Sequence, residues 1–176
     1  MTVVVGVDPG SRTTAVVAVE LPSRDPLEMV LVRNEGELLP MPPGYLADVV
    51  EQVRGVVDRH GGGVVRVEGV NRPSWHVGGR GGGSASNPTG LLGTAMVFGA
   101  VVAAVGSWDG VEVEVIAPSR NGSRPLGVYP EVLVGAGERR GMWQTRTGTG
   151  KLRHARSAYD VALGGILGIG RLASGR

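Results

Sequence analysis

The chain has 176 residues, 41% apolar and 19% charged, with 31 glycines, 11 prolines and no cysteine. That length suits one domain, residues 1–176, with a real core, and the missing cysteines exclude disulfide scaffolds, zinc ribbons and thiol nucleophiles. Charge is lopsided, summing to −5 over residues 1–117 and +7 over 118–176, so the C-terminal third is the part suited to a polyanionic partner.

Met1-Thr2-Val3 runs straight into an apolar stretch, with no basic region ahead of it, so no signal peptide is expected. Val3 to Val7 is continuously apolar, the pattern of a strand covered on both faces. Asp8-Pro9-Gly10 supplies turn chemistry, and Thr13 to Glu20 resumes as a strand, so 3–20 predicts a hairpin. Leu27 to Arg33 is a third strand. Leu46, Val49, Val50, Val53, Val56 and Val57 then recur at helical spacing until Gly61-Gly62-Gly63, and Val64 to Glu68 is another buried-type strand.

Residues 77–86 have the composition of a flexible loop. Asn87-Pro88 opens an almost wholly apolar helix to about Val105, to be buried or shared with a partner. The surrounding stretch, Ser84 to Ser107, holds Asn, Pro, Thr, Ser and Gly, poor material for a bilayer span. No membrane association is expected, and a cytoplasmic location is. Val111 to Ile116 alternates as a strand with one wet face. Residues 118–150, rich in Pro, Gly and Arg, give no regular pattern, and a last helix is expected over about Leu152–Leu172 although Gly164 and Gly165 weaken it. The order βββαβαβα predicts a mixed α/β sheet flanked by helices.

Two of the buried-type strands end in a carboxylate followed closely by a turn, at Asp8 and Glu68. If the strands are neighbours, the two acids repel at the rim of the core, and that calls for a hard divalent cation. A third acid, Asp160, interrupts Ala158-Tyr159-Asp160-Val161-Ala162-Leu163. Three acids without cysteine and with few histidines fit two-metal phosphoryl chemistry better than zinc hydrolysis.

Val5-Gly6-Val7-Asp8-Pro9-Gly10-Ser11-Arg12-Thr13-Thr14, then Val67-Glu68, then Ser157 to Leu163, resemble the RuvC-type Holliday junction resolvases of the RNase H-like superfamily. The resemblance implies a five-stranded mixed sheet, a homodimer, and Mg²⁺- or Mn²⁺-dependent nicking of four-way DNA junctions, with two ions per site. It also implies that Asp8, Glu68 and Asp160 are the metal-binding carboxylates. The family places an acid or a histidine one helical turn before its last Asp, and here that position is Ser157, so His154 is the substitute for a fourth ligand or proton-transfer group. Trp75, beside Arg72 and ahead of Arg80, is expected to stack on unpaired bases. Arg120, Arg124, Arg139, Arg140, Arg146, Lys151 and Arg153 are candidate phosphate contacts.

Three rival readings stay open. One is an RNase H-like nuclease of structured RNA or other branched DNA. Another is an actin-like ATPase or sugar kinase, whose phosphate loop also begins Asp-x-Gly-x-x-Thr. The last is a DNA-binding relative that lost the chemistry, kept alive by Ser157. Thr147-Gly148-Thr149-Gly150-Lys151 lacks the first Gly, the closing Ser/Thr and the preceding strand of a phosphate loop.

Overall fold

The computed structural model describes residues 2–70 and 88–165. Its sheet has five strands in the order β3-β2-β1-β4-β5. These are β1 (Thr2–Asp8), β2 (Thr13–Leu21), β3 (Pro26–Arg33), β4 (Val64–Glu68) and β5 (Glu112–Ile116). β2 pairs antiparallel with β1 and β3, while β4 runs parallel to both β1 and β5. The 3–20 hairpin and the mixed sheet are as the sequence predicts.

Strand periodicity divides the core in two. Val3, Val5, Val7, Val65 and Val67 face a layer made by α1 (Pro43–His60) and α2 (Pro88–Val105). Val4, Ala15, Val17 and Val19 face α3 (Arg153–Ala162) and the segment holding Leu126, Tyr129, Leu133 and Val134. Asp8 and Glu68 continue the α3-facing series, so both carboxylates emerge on the side where α3 begins. Gly6 makes that approach possible: a methyl there would overlap the Ala158 carbonyl oxygen and sit 2.7 Å from the Ala162 nitrogen.

One expectation needs correction. The last helix stops at Ala162 rather than near Leu172. Gly164 and Gly165 take φ of +97° and +82°, and this left-handed geometry ends a helix instead of merely weakening it; residues 166–172 lie outside the described set. Residues 118–150 are ordered by four single-turn 3₁₀ segments, at Leu126–Val128, Glu131–Leu133, Ala136–Glu138 and Trp143–Thr145. Their anchor is Arg156, fully buried, which donates to both carboxylate oxygens of Glu138 at 2.9 and 3.1 Å and to the Leu133 carbonyl at 3.0 Å. A forked, planar cation suits that bidentate role.

α2 is the one described helix long and apolar enough, by length and a mean hydropathy of 1.8, to cross a membrane, contrary to the reading of its composition. Here Val97, Val101 and Val105 pack into the core. The opposite stripe, Leu92, Met96, Gly99 and Ala103, is exposed.

Candidate active site

β1 and β4 are in register with Val7 opposite Val67, so the next residues, Asp8 and Glu68, are brought side by side. The turn behind Asp8 is fixed from α1: the Tyr45 hydroxyl donates to the Gly10 carbonyl at 2.8 Å, and Thr14 Oγ1 lies 2.8 Å from the same hydroxyl. Asp8 and Glu68 line a cleft of about 480 Å³, together with Ser119, Arg120, Asn121, His154 and Ser157.

Hydrogen bonds knit this group together. Asp8 Oδ2 is 2.8 Å from His154 Nδ1. Glu68 Oε1 accepts from Asn121 Nδ2 at 2.7 Å, and its Oε2 accepts from the Ser157 hydroxyl at 3.0 Å. Burial, the neighbouring Asp8 charge and the contact with Asp8 push the Glu68 carboxyl up to about 8, against the pull of Asn121 and Ser157. Two carboxylates forced together in this way have a shortage of positive charge. Their hard oxygens, with an imidazole beside them, fit a divalent cation. Among the described residues, however, no three His, Asp or Glu side chains converge into a full ligand cage.

The missing member is Asp160. It is 1% exposed and is not among the residues lining the cleft. Its Oδ2 accepts from the Gly122 backbone N–H at 2.8 Å and from the Tyr129 hydroxyl at 2.7 Å, and its Oδ1 pairs with the Arg124 guanidinium. Arg124 in turn stacks over Tyr129, 4.9 Å from the ring centroid. Burial and the Asp160 charge raise the Tyr129 hydroxyl to about 12, so it remains a donor. The expected third metal carboxylate is thus committed to the 121–129 segment. The cleft-facing pair one helical turn apart falls on His154 and Ser157, not on Ser157 and Asp160. A hydroxyl stands where the resemblance leads one to look for an acid.

Asp160 still bears on the cleft indirectly. By holding Gly122, it fixes the loop whose preceding residue, Asn121, grips Glu68. Gly122 has φ +74°, and a Cβ there would lie 2.6 Å from the Arg153 carbonyl and 2.8 Å from the Ser157 nitrogen. The sequence reading misses Asn121, whose only trace is the Asn-Gly turn that follows β5, the strand beside β4.

The basic candidates are dispersed. Arg120, with φ +56°, and Arg153 line the cleft, and Arg140 and Lys151 are exposed. Arg124, Arg139 and Arg146 are engaged internally, by Asp160, by Glu131, and by the carbonyls of Glu138 and Arg140 respectively. Arg72, Trp75 and Arg80 lie outside the described residues.

A mixed five-stranded sheet flanked by helices, with acids at the ends of its two central parallel strands, defines an RNase H-like fold. Solved structures place it more closely, since the chain is similar to Thermus thermophilus RuvC in complex with a Holliday junction substrate. The identity is 18%, the match covers 93% of this chain and 91% of that one, and the TM-score is 0.57. A second structure of Thermus thermophilus RuvC matches at 19% identity, over 92% of this chain and 91% of that one, with a TM-score of 0.53. The chain therefore has the RuvC-type fold. No family model and no curated protein matches its sequence.

Proposed function

We infer that this chain is a metal-dependent endonuclease of branched DNA, with four-way junctions as its substrate. The observation that carries this reading is the forced adjacency of Asp8 and Glu68 at paired strand ends in a cleft. The RuvC-type fold supports it, because one matching structure is of a protein bound to a Holliday junction.

Asp8 and Glu68 would hold the cation, with His154 beside them on the α3 side as a proton-transfer group and not a ligand. When bound, Mg²⁺ or Mn²⁺ supplies charge for the scissile phosphate and acidifies a water. Two carboxylates balance a single dication, so this donor set fits one ion better than the expected pair. Glu68 must give up its proton to serve as a ligand, and Asn121 and Ser157 stabilise its anion by donating to one oxygen each. Asp8 orients His154 through Nδ1, leaving Nε2 as the atom that passes a proton to the departing 3′ oxygen. Two copies paired through the exposed Leu92–Ala103 stripe of α2 would present two clefts to a two-fold symmetric junction.

The test is cleavage of a labelled four-way junction, beside linear duplex and an RNA hairpin, with and without Mg²⁺. Metal-dependent nicking of the junction is expected, and Asp8→Asn abolishes it while leaving junction binding intact. Cleavage retained by Asp8→Asn, or preference for the RNA hairpin, overturns the assignment. Ser157 favours a second reading, a junction-binding relative without chemistry. Tight junction binding with no nicking at any Mg²⁺ or Mn²⁺ concentration would establish that reading instead.

A further inference from the structure

Beside the cleft lies a second hollow of about 500 Å³, and Arg153 and His154 line both. Its cationic walls come from three separate segments: Arg12 in the β1–β2 turn, Arg33 at the end of β3, and Lys151 with Arg153 where the chain enters α3. All four side chains are exposed, and Glu35 is the single acid among them. Their state contrasts with the rest of the basic set. Arg124, Arg139 and Arg156 are paired with Asp160, Glu131 and Glu138, whereas none of these four is paired with a carboxylate among the described residues.

The framework beneath them is stiff. Buried Asn34 donates to the Ser11 carbonyl at 3.1 Å and to the Glu37 carbonyl at 3.0 Å, and accepts from the Gly36 N–H at 2.9 Å. Arg12 donates to the Gly36 carbonyl at 2.7 Å. These bonds tie the turn after β3 to the loop that follows Asp8, so the hollow and the acid pair share one rigid wall. Cations kept unpaired on an ordered wall suit a ligand that brings its own negative charge. Four cations along one hollow bring more positive charge than a single small anion balances, so they suit a chain of phosphates.

We propose that Arg12, Arg33, Lys151 and Arg153 form a track for the phosphodiester backbone of the DNA strand entering the cleft, passing its next phosphates to His154. This rests on the nucleic-acid reading above and adds where the strand runs. Gly150 plays no phosphate-loop part in it, since its N–H faces Glu138 Oε1 at 3.3 Å.

The experiment measures binding of a fluorescent four-way DNA junction by anisotropy, without divalent metal, across a series of NaCl concentrations. The proteins are wild type, Arg33→Gln/Lys151→Gln, Arg33→Lys/Lys151→Arg, and Arg54→Gln. Arg54→Gln is a control on exposed α1, across the sheet. Removing the cation that neutralises one phosphate lowers the slope of log K against log salt by about 0.9 and weakens binding roughly eightfold near 0.1 M salt. The double Gln variant should therefore show a slope lower by one to two and binding roughly ten- to a hundredfold weaker. The charge-conserving pair and Arg54→Gln should match wild type. A double Gln variant indistinguishable from Arg54→Gln, with wild type still binding the junction, overturns the track and leaves the proposed function standing. A wild-type protein that binds no junction overturns both.

Discussion

The raised proton affinity of Glu68 makes the metal-free protein sensitive to pH in an unusual direction. The unfolded chain gives up this proton at an ordinary 4.5, whereas the folded protein keeps it to about 8. Between those values the native state binds more protons than the unfolded one, so stability falls as pH rises. At about 1.4 kcal/mol per pH unit, the full interval amounts to at most about 5 kcal/mol. For a chain of this length each kcal/mol moves the melting temperature by about 2–4 °C, so in EDTA the midpoint should drop by roughly 10 °C from pH 5 to pH 8. Glu68→Gln removes the titration and should flatten the profile. Saturating Mg²⁺ should restore the wild-type midpoint at pH 8 while doing little for Asp8→Asn, because the cation takes the place of the proton. Circular dichroism melts at half-unit pH steps read this directly. Parallel profiles for wild type and Glu68→Gln would refute the argument, as would a wild-type midpoint that rises towards pH 8.

Asp160→Asn removes the buried charge that pairs with Arg124, and because Arg124 is itself part-exposed the loss should cost less than the roughly 3–5 kcal/mol of a fully buried pair, about 2 kcal/mol. Its melting temperature should fall while Mg²⁺ binding, measured by calorimetry, stays within a few-fold of wild type. Abolished binding at an unchanged melting temperature would make Asp160 a ligand after all. Arg156→Met alone strands Glu138 and should destabilise by about 3 kcal/mol, whereas Arg156→Met with Glu138→Gln should recover most of that deficit in a denaturant double-mutant cycle. Gly6→Ala drives a methyl into the α3 backbone and should cost about 2 kcal/mol or more by overpacking. Val4→Ala, a cavity mutation on the same face, should lower stability without altering junction affinity, whereas Gly6→Ala should weaken both.

The strands and the first two helices are legible in the sequence because each rests on short-range pattern, whereas the adjacency of Asp8 with Glu68 follows only once β1 and β4 are known to pair. Continuous valine runs mark buried strands, helical spacing of valines marks α1, and Gly61–Gly63 marks its end. The environment of Asp160 is not legible, for a physical reason. Asp160 and Ser157 are three residues apart on the same short helix, and no local pattern reveals which of them turns towards β4 and which towards the 121–129 segment. That choice is made by Tyr129, Arg124 and the Gly122 N–H, more than thirty residues away in the chain. Arg156 likewise gives no sign in the sequence of being the buried anchor of residues 118–150, because a lone arginine in a helix is ordinarily solvated. Arg12 and Arg33 escape a reading of charge along the chain because they belong to its acidic portion, where net charge hides a local cationic surface.

Arg66, on the α3 face of β4, donates to the Ala162 carbonyl and holds Glu114 at 2.7 Å. α3 is therefore bolted at its far end by Arg66, clasped midway over Gly6 and tethered at its near end through His154. A rod of ten residues fastened at three places has no freedom to pivot. Accommodation of differently shaped substrates then falls to the walls around it, and the backbone that carries His154 is a fixed reference against which an incoming strand must align.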